Sequence, residues 1–328
     1  MEKQNENQNV FDRRNFYNSK DAGWAFILAL FVPFAVALLV MFIGMYIGKV
    51  AGVEFANDDN YAQKLYETKY WFTIPYMLST QVSFILVFFL YNKKNNISFS
   101  ASKFSFKIGY KNALLSVFMG IVCFAGFVML ISCFDSLWVK IGLGLTESPL
   151  PLDTFGWFVV NLIVLGIIPA ICEEFVFRGM IFSGLRKNFS LIPSIIISSL
   201  FFAFVHTSIQ QLVYPFVMGV ILALFFERTG SIFVGIIIHF TNNFITILLT
   251  YLQNVTSLDL TIKIKWWVVL IAIAVALVAG AIVYIIDRFY FKHKSKEEIE
   301  VEKLPSFPVM LVVGLVVGAM VVILSTCL

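Results

Sequence analysis

The sequence predicts an all-α, polytopic membrane protein with about eight or nine transmembrane helices. Of its 328 residues, 59% are hydrophobic and only 13% are charged, whereas an ordinary soluble domain is roughly 25% charged. The apolar residues also gather in long windows, and a bilayer core about 30 Å thick needs on the order of 20 such residues for each crossing. The windows run at 23–48, 71–91, 112–134, 154–177, 191–206, 211–226, 231–252, 266–286 and 307–326. Those at 191–206 and 211–226 are short for a full crossing.

The chain opens on MEKQNENQNVFDRRNFYNSK, which mixes both charge signs with Asn and Gln. It lacks the early apolar core and small-residue cleavage site of a secretory signal. Residues 1–22 are therefore expected to form a polar cytoplasmic tail. Residues 23–328 are expected to form a single transmembrane domain, because no fixed-period repeat and no Pro- or Gly-rich linker divides them.

Charge sets the orientation. Lys93, Lys94, Lys103, Lys107 and Lys111 fall between the second and third windows with no acid among them, which places that loop in the cytoplasm by the positive-inside rule. Arg186 and Lys187, then Arg228, then Arg288, Lys292, Lys294 and Lys296 follow at alternate crossings. The 50–70 and 135–153 loops carry Asp58, Asp59, Glu147 and Asp153 with few bases. The amino terminus is then cytoplasmic, and the membrane is the plasma membrane if the source is prokaryotic.

The net charge of +4 is spread over these loops and does not form a basic stripe, so the implied partner is the lipid bilayer and not nucleic acid. Cys123, Cys133, Cys172 and Cys327 lie in or at the ends of apolar stretches with no CxxC pair, and no disulfide framework is expected. Cys172, although beside Glu173, reads as a small packed hydrophobe.

An ionisable side chain at bilayer depth costs several kcal/mol on insertion scales, so each one inside a span calls for a role and a partner. PAICEEFVFRGM puts Glu173, Glu174 and Arg178 near the end of the fourth window. FFAFVH puts His206 at the end of the fifth, and IIIHFTNNF puts His239 and Asn243 within the seventh. Glu174 and Arg178 have the i, i+4 spacing of an ion pair with the acid on its favourable N-terminal side. Glu173 is turned about 100° away and is left free for acid–base work. His239 and Asn243, also i, i+4, present an imidazole and an amide on one helix face.

Counted from the cytoplasmic edge at about 1.5 Å per residue, Glu173, His206 and Asn243 all lie roughly 20 Å deep, with His239 one turn shallower. Pro169, which has no N–H, frees the carbonyl of Leu165 and tends to kink the helix one turn before the acidic pair. Pro169 and Gly166 are equally consistent with a role in helix packing alone.

Hydrolysis of an amide needs an activated water, donors for the oxyanion and a proton for the leaving amine. Glu173 suits a general base that later serves as acid. His206 can hold or deprotonate the same water, and His239 and Asn243 can supply donors to the oxyanion. Two other readings use the same residues: a proton-coupled transporter in which Glu173 and the histidines form a relay, and a non-catalytic binding or immunity protein held together by polar contacts. No GxSG motif and no pair of aspartates within spans points to another kind of intramembrane hydrolase.

EEFVFR has the form EExxxR, FAFVH holds Phe202 and His206 as FxxxH, and HFTNN gives His239 and Asn243 as HxxxN. In that order, across roughly residues 155–250, the chain resembles the CAAX protease and bacteriocin-processing family of intramembrane endopeptidases, which includes the CAAX prenyl endopeptidase. The resemblance implies Glu173 as the water-activating glutamate assisted by His206, with Glu174 as a supporting member of the motif. It implies His239 and Asn243 as the oxyanion pair and Arg178 as the brace of the acidic motif. The implied substrate is a peptide or membrane protein, prenylated or plain.

No cofactor is required on the glutamate mechanism. HExxH is absent, while zinc could be held if Glu173, His206 and His239 converge.

Overall fold

In the computed structural model, residues 14–55, 60–104, 108–140, 150–206, 212–256, 266–290 and 309–327 are described. They form ten helices and no strand among them. The helices are α1 (Ser19–Val50), α2 (Tyr61–Thr68), α3 (Tyr70–Lys94), α4 (Gly109–Lys140), α5 (Phe155–Asn188), α6 (Leu191–Phe204), α7 (Val213–Thr229), α8 (Ile232–Thr256), α9 (Trp266–Tyr290) and α10 (Val309–Cys327).

The protein is an all-helical, multi-pass integral membrane protein. Five segments among the described residues are long and apolar enough to cross a bilayer: α1, α3, Gly109–Gly126 of α4, α5 and α8. The short windows at 191–206 and 211–226 are α6 and α7, of 14 and 17 residues.

Polar contacts define the two ends of the bundle. α1 begins at Ser19, four residues before its apolar window, because Asn18 and Asp21 form a capping box that satisfies backbone N–H groups in the first turn. Asp21 also accepts from the Tyr91 hydroxyl at 2.8 Å and pairs with Arg14. Tyr17 donates to Asn92 at 2.9 Å, and burial pushes its phenol above the ordinary range, so it remains a donor. The Ser19 N–H donates to Asn188, Arg186 pairs with Glu227 at 2.8 Å, and the Ile232 N–H reaches the Lys103 carbonyl.

These contacts gather the start of α1, the ends of α3, α5 and α7 and the start of α8 at one end, together with the basic residues Lys93, Lys94, Lys103, Arg186, Lys187 and Arg228. At the opposite end Tyr70 meets Trp157 and Phe158 meets Tyr251. Asn161 and Asn254 donate there to the carbonyls of Pro151 and Leu152. α2 lies at this second end, in the connection from α1 to α3.

α5 is the central element. It runs 34 residues and changes winding twice, with π-helical turns at Leu162–Ile167 and Phe175–Phe182 on either side of the α-helical Ile168–Glu174. The first π segment ends at Ile167, two residues before Pro169, whose missing N–H cannot complete the α ladder. In the second, the Ser183 hydroxyl donates to the Arg178 carbonyl five residues back. π-helical turns inside α-helices are frequent at functional sites.

Every residue from Phe175 to Phe182 is buried, packed against Phe84 and Phe88 of α3, Phe202 of α6 and Phe226 of α7. The stop of α6 is equally informative. A 14-residue helix rises only about 21 Å, so α6 is too short to cross a bilayer core about 30 Å thick, and the chain turns at its end at Val205 and His206. Non-helical backbone at membrane depth is tolerated where protein or a cavity surrounds it, and both residues line a cavity.

Candidate active site

The acidic pair divides between two environments, as a turn of about 100° per residue requires. Glu174 faces the packed interior and is fully buried. Its Oε1 accepts from Arg178 at 2.9 Å and from the Nδ1 of His239 at 3.2 Å. Arg178 in turn reaches the Gly219 carbonyl at 3.4 Å and lies 4.5 Å over the Phe202 ring, so this buried guanidinium is paired, hydrogen-bonded and stacked.

Gly235 of α8 makes room for the carboxylate, since a Cβ there would lie 2.7 Å from Glu174 Oε2. Gly219 of α7 does the same for Ser199 of α6, whose Cα would be 2.9 Å from such a Cβ. Small residues thus draw α7 and α8 close enough for their polar groups to meet α5 and α6.

Glu173 faces a cavity of about 310 Å³ shared with His206 and with Gln81, Thr80 and Met77 of α3. Its Oε1 accepts from Gln81 Nε2 at 3.1 Å, and its Oε2 lies 3.9 Å from the Nε2 of His239. His206 directs Nδ1 to the Phe202 carbonyl at 2.9 Å. A carbonyl only accepts, so Nδ1 carries the proton and Nε2 of the neutral ring keeps its lone pair. Phe202 supports both imidazoles, with ring centroids 5.2 Å from His206 and 5.9 Å from His239.

Asn243 donates through Nδ2 to the Leu165 carbonyl at 3.2 Å, the carbonyl that Pro169 leaves without its helical donor. Glu173, Glu174, Arg178, Phe202, His206 and His239 are therefore brought together, and Asn243 joins them from about one turn further along α8.

The depth order differs from the count along the sequence. His239 is level with the two carboxylates, and Asn243 is bonded to a residue two turns before Glu173. The π winding of Phe175–Phe182 shifts the order in this direction, because it advances less per residue than an α-helix and brings Glu173 closer to Arg186.

Among the described residues no group of three His, Cys, Asp or Glu side chains is placed to hold a metal ion. His239 turns one nitrogen to each glutamate and His206 turns one to a backbone carbonyl, so Glu173, His206 and His239 do not form a three-ligand set in this arrangement.

Gln81 is the site residue that sequence reasoning passed over. Its signal was an amide in the middle of the 71–91 window, uncharged and so outside a search for ionisable groups. Gln81 Oε1 is buried with no hydrogen-bond partner among the described residues.

Residues 155–245 match a family model described as Type II CAAX prenyl endopeptidase Rce1-like. The matched segment runs from the first turn of α5 into α8 and contains all three motifs. A Bacillus subtilis (strain 168) protein named "Putative membrane peptidase YdiL" is 33% identical over 98 residues, which cover 30% of this chain and 40% of that protein. The match thus spans less than half of the relative's length. No solved structure matches this chain. In the core that holds the buried glutamates and histidines, this chain resembles the CAAX protease family.

Proposed function

We propose that this protein is an intramembrane endopeptidase in which Glu173 activates a water molecule for attack on a peptide carbonyl. The observation that carries the reading is the shared cavity: Glu173 and His206 both line it, and each is oriented by a contact of its own.

In this reading the water lies between the Glu173 carboxylate and the lone pair of His206 Nε2. Its oxygen adds to the carbonyl carbon while its proton passes to Glu173. Collapse of the tetrahedral intermediate breaks the C–N bond, and Glu173 returns the proton to the leaving amine. Asn243, held by the Leu165 carbonyl, stands on α8 as a donor for the oxyanion, and His239, whose Nδ1 is given to Glu174, joins it through Nε2 only in its doubly protonated form. Asn243 has a second N–H for that purpose. Glu174 and Arg178 fix the position of His239 without meeting the substrate.

The substrate is a peptide or membrane-protein segment, prenylated or plain. The test is cleavage of a panel of labelled peptides of both kinds by the detergent-purified protein, before and after chelator, beside the Glu173→Gln variant. Cleavage by the parent that the variant lacks is expected. Equal cleavage by both would remove Glu173 from the chemistry and leave the binding and transport readings.

A further inference from the structure

We propose that water and substrate reach Glu173 from the end of the bundle that carries α2, opposite the basic loops. The substrate is then a membrane-anchored polypeptide that presents its cleaved segment on the non-cytoplasmic side. This rests on Glu173 being the reacting carboxylate.

The cavity is one-sided about that residue. Its α5 wall is Val164, Leu165 and Pro169, all N-terminal to Glu173, and its α3 wall runs from Phe84, which closes it toward the basic end, back to Tyr76. Both stretches lead toward the start of their helices, which is the end marked by the Tyr70–Trp157 contact. Tyr66 of α2 completes the wall at that end, set 5.4 Å from Tyr76.

In the other direction the path is filled. Phe177 packs on Phe84 at 6.0 Å, Phe175 on Phe88 at 5.0 Å and Phe175 on Phe104 at 5.4 Å, and every residue of α5 from Phe175 to Phe182 is buried. Interiors packed at this density admit no water column. The basic residues Lys93, Lys94, Lys103, Arg186 and Lys187 lie beyond that aromatic layer, and the positive-inside rule assigns their side to the cytoplasm.

A second cavity of about 380 Å³ shares Tyr76, Thr80, Phe84 and Val205 with the first and is walled on α1 by apolar residues between Ala29 and Ala37. It carries the same space sideways to a lipid-facing surface on which Phe31 and Phe34 are exposed. The apolar anchor of the substrate lies along this groove while the peptide bond occupies the polar cavity.

The test is thiol labelling in sealed membrane vesicles of both orientations with a membrane-impermeant maleimide. Met77→Cys and Thr80→Cys are the cavity reporters, Glu67→Cys marks the α2 end, Lys94→Cys marks the basic end, and the parent chain is the blank. The expected result is labelling of Met77→Cys and Thr80→Cys only in the orientation that labels Glu67→Cys, with loss of labelling in the orientation that labels Lys94→Cys. Labelling together with Lys94→Cys, or from neither side, would overturn the proposal. Having two cavity reporters keeps the test decisive if one variant fails to fold. Because labelling does not depend on cleavage, failure here is distinguishable from failure of the catalytic reading, which the Glu173→Gln comparison decides.

Discussion

Glu173 and Glu174 are neighbours in the chain and opposites in environment. Glu174 is enclosed, with Arg178, His239 and the backbone of Gly235 around it. Glu173 accepts from one neutral donor, Gln81, stands 3.9 Å from His239 Nε2 and otherwise faces a cavity. A buried carboxylate paired with a guanidinium is committed to that pair, since removing either partner leaves an uncompensated charge. A carboxylate at a cavity wall can exchange protons with whatever enters. One α-helical step between two adjacent glutamates thus separates the group that holds the site together from the group available to react.

The largest effect that would sharpen this contrast is on cleavage. Glu173→Gln keeps the shape and the Gln81 contact but removes the base, and the rate is expected to fall by about 10²–10⁴-fold, the range of general-base contributions, with the thermal unfolding midpoint in detergent unchanged. The matching effect on the other face is on stability. Arg178→Met is expected to cost about 3–5 kcal/mol by leaving Glu174 buried without its guanidinium, read as a lowered unfolding midpoint. Glu174→Leu combined with Arg178→Met should recover most of it, and a double variant no more stable than the single one would contradict the pairing.

Gly235→Ala comes next. Its Cβ would sit 2.7 Å from Glu174 Oε2, so overpacking is expected to cost about 1–3 kcal/mol and to displace His239, lowering cleavage further than stability alone explains. Asn243→Ala removes the donor to the Leu165 carbonyl, with an expected loss of about 0.6–2 kcal/mol of stability, the scale of an interhelical hydrogen bond in a membrane. A small stability effect, about 1 kcal/mol, is expected for Gln81→Leu, because removing an Oε1 that is buried without a partner among the described residues offsets the loss of the donor to Glu173, which faces a cavity. Its cleavage rate should nevertheless fall, because Glu173 loses the donor that orients it.

The buried glutamates, Arg178 and both histidines were legible because ionisable groups stand out in apolar windows. The i, i+4 rule read the Glu174–Arg178 pair correctly, and the carbonyl freed by Pro169 pointed to Leu165 before its partner was known. Depth was not legible. The count assumed one rise per residue along α5, and no residue pattern announces the π winding of Phe175–Phe182 that changes it. Gln81 escaped because it is uncharged and lies in α3, far in sequence from the motifs. The 191–206 window was short for a full crossing, and the 14-residue α6 fills it, but where that helix stops depends on what surrounds Val205 and His206.

The central claim is that Glu173 reacts while Glu174 only supports. The most direct measurement compares cleavage by Glu173→Gln and Glu174→Gln on one substrate of the parent, each rate divided by the fraction of protein that is folded. The account predicts that Glu173→Gln is folded and inactive, whereas Glu174→Gln loses folded protein but keeps measurable cleavage per folded molecule. A folded Glu173→Gln variant that cleaves at the parent rate would contradict it.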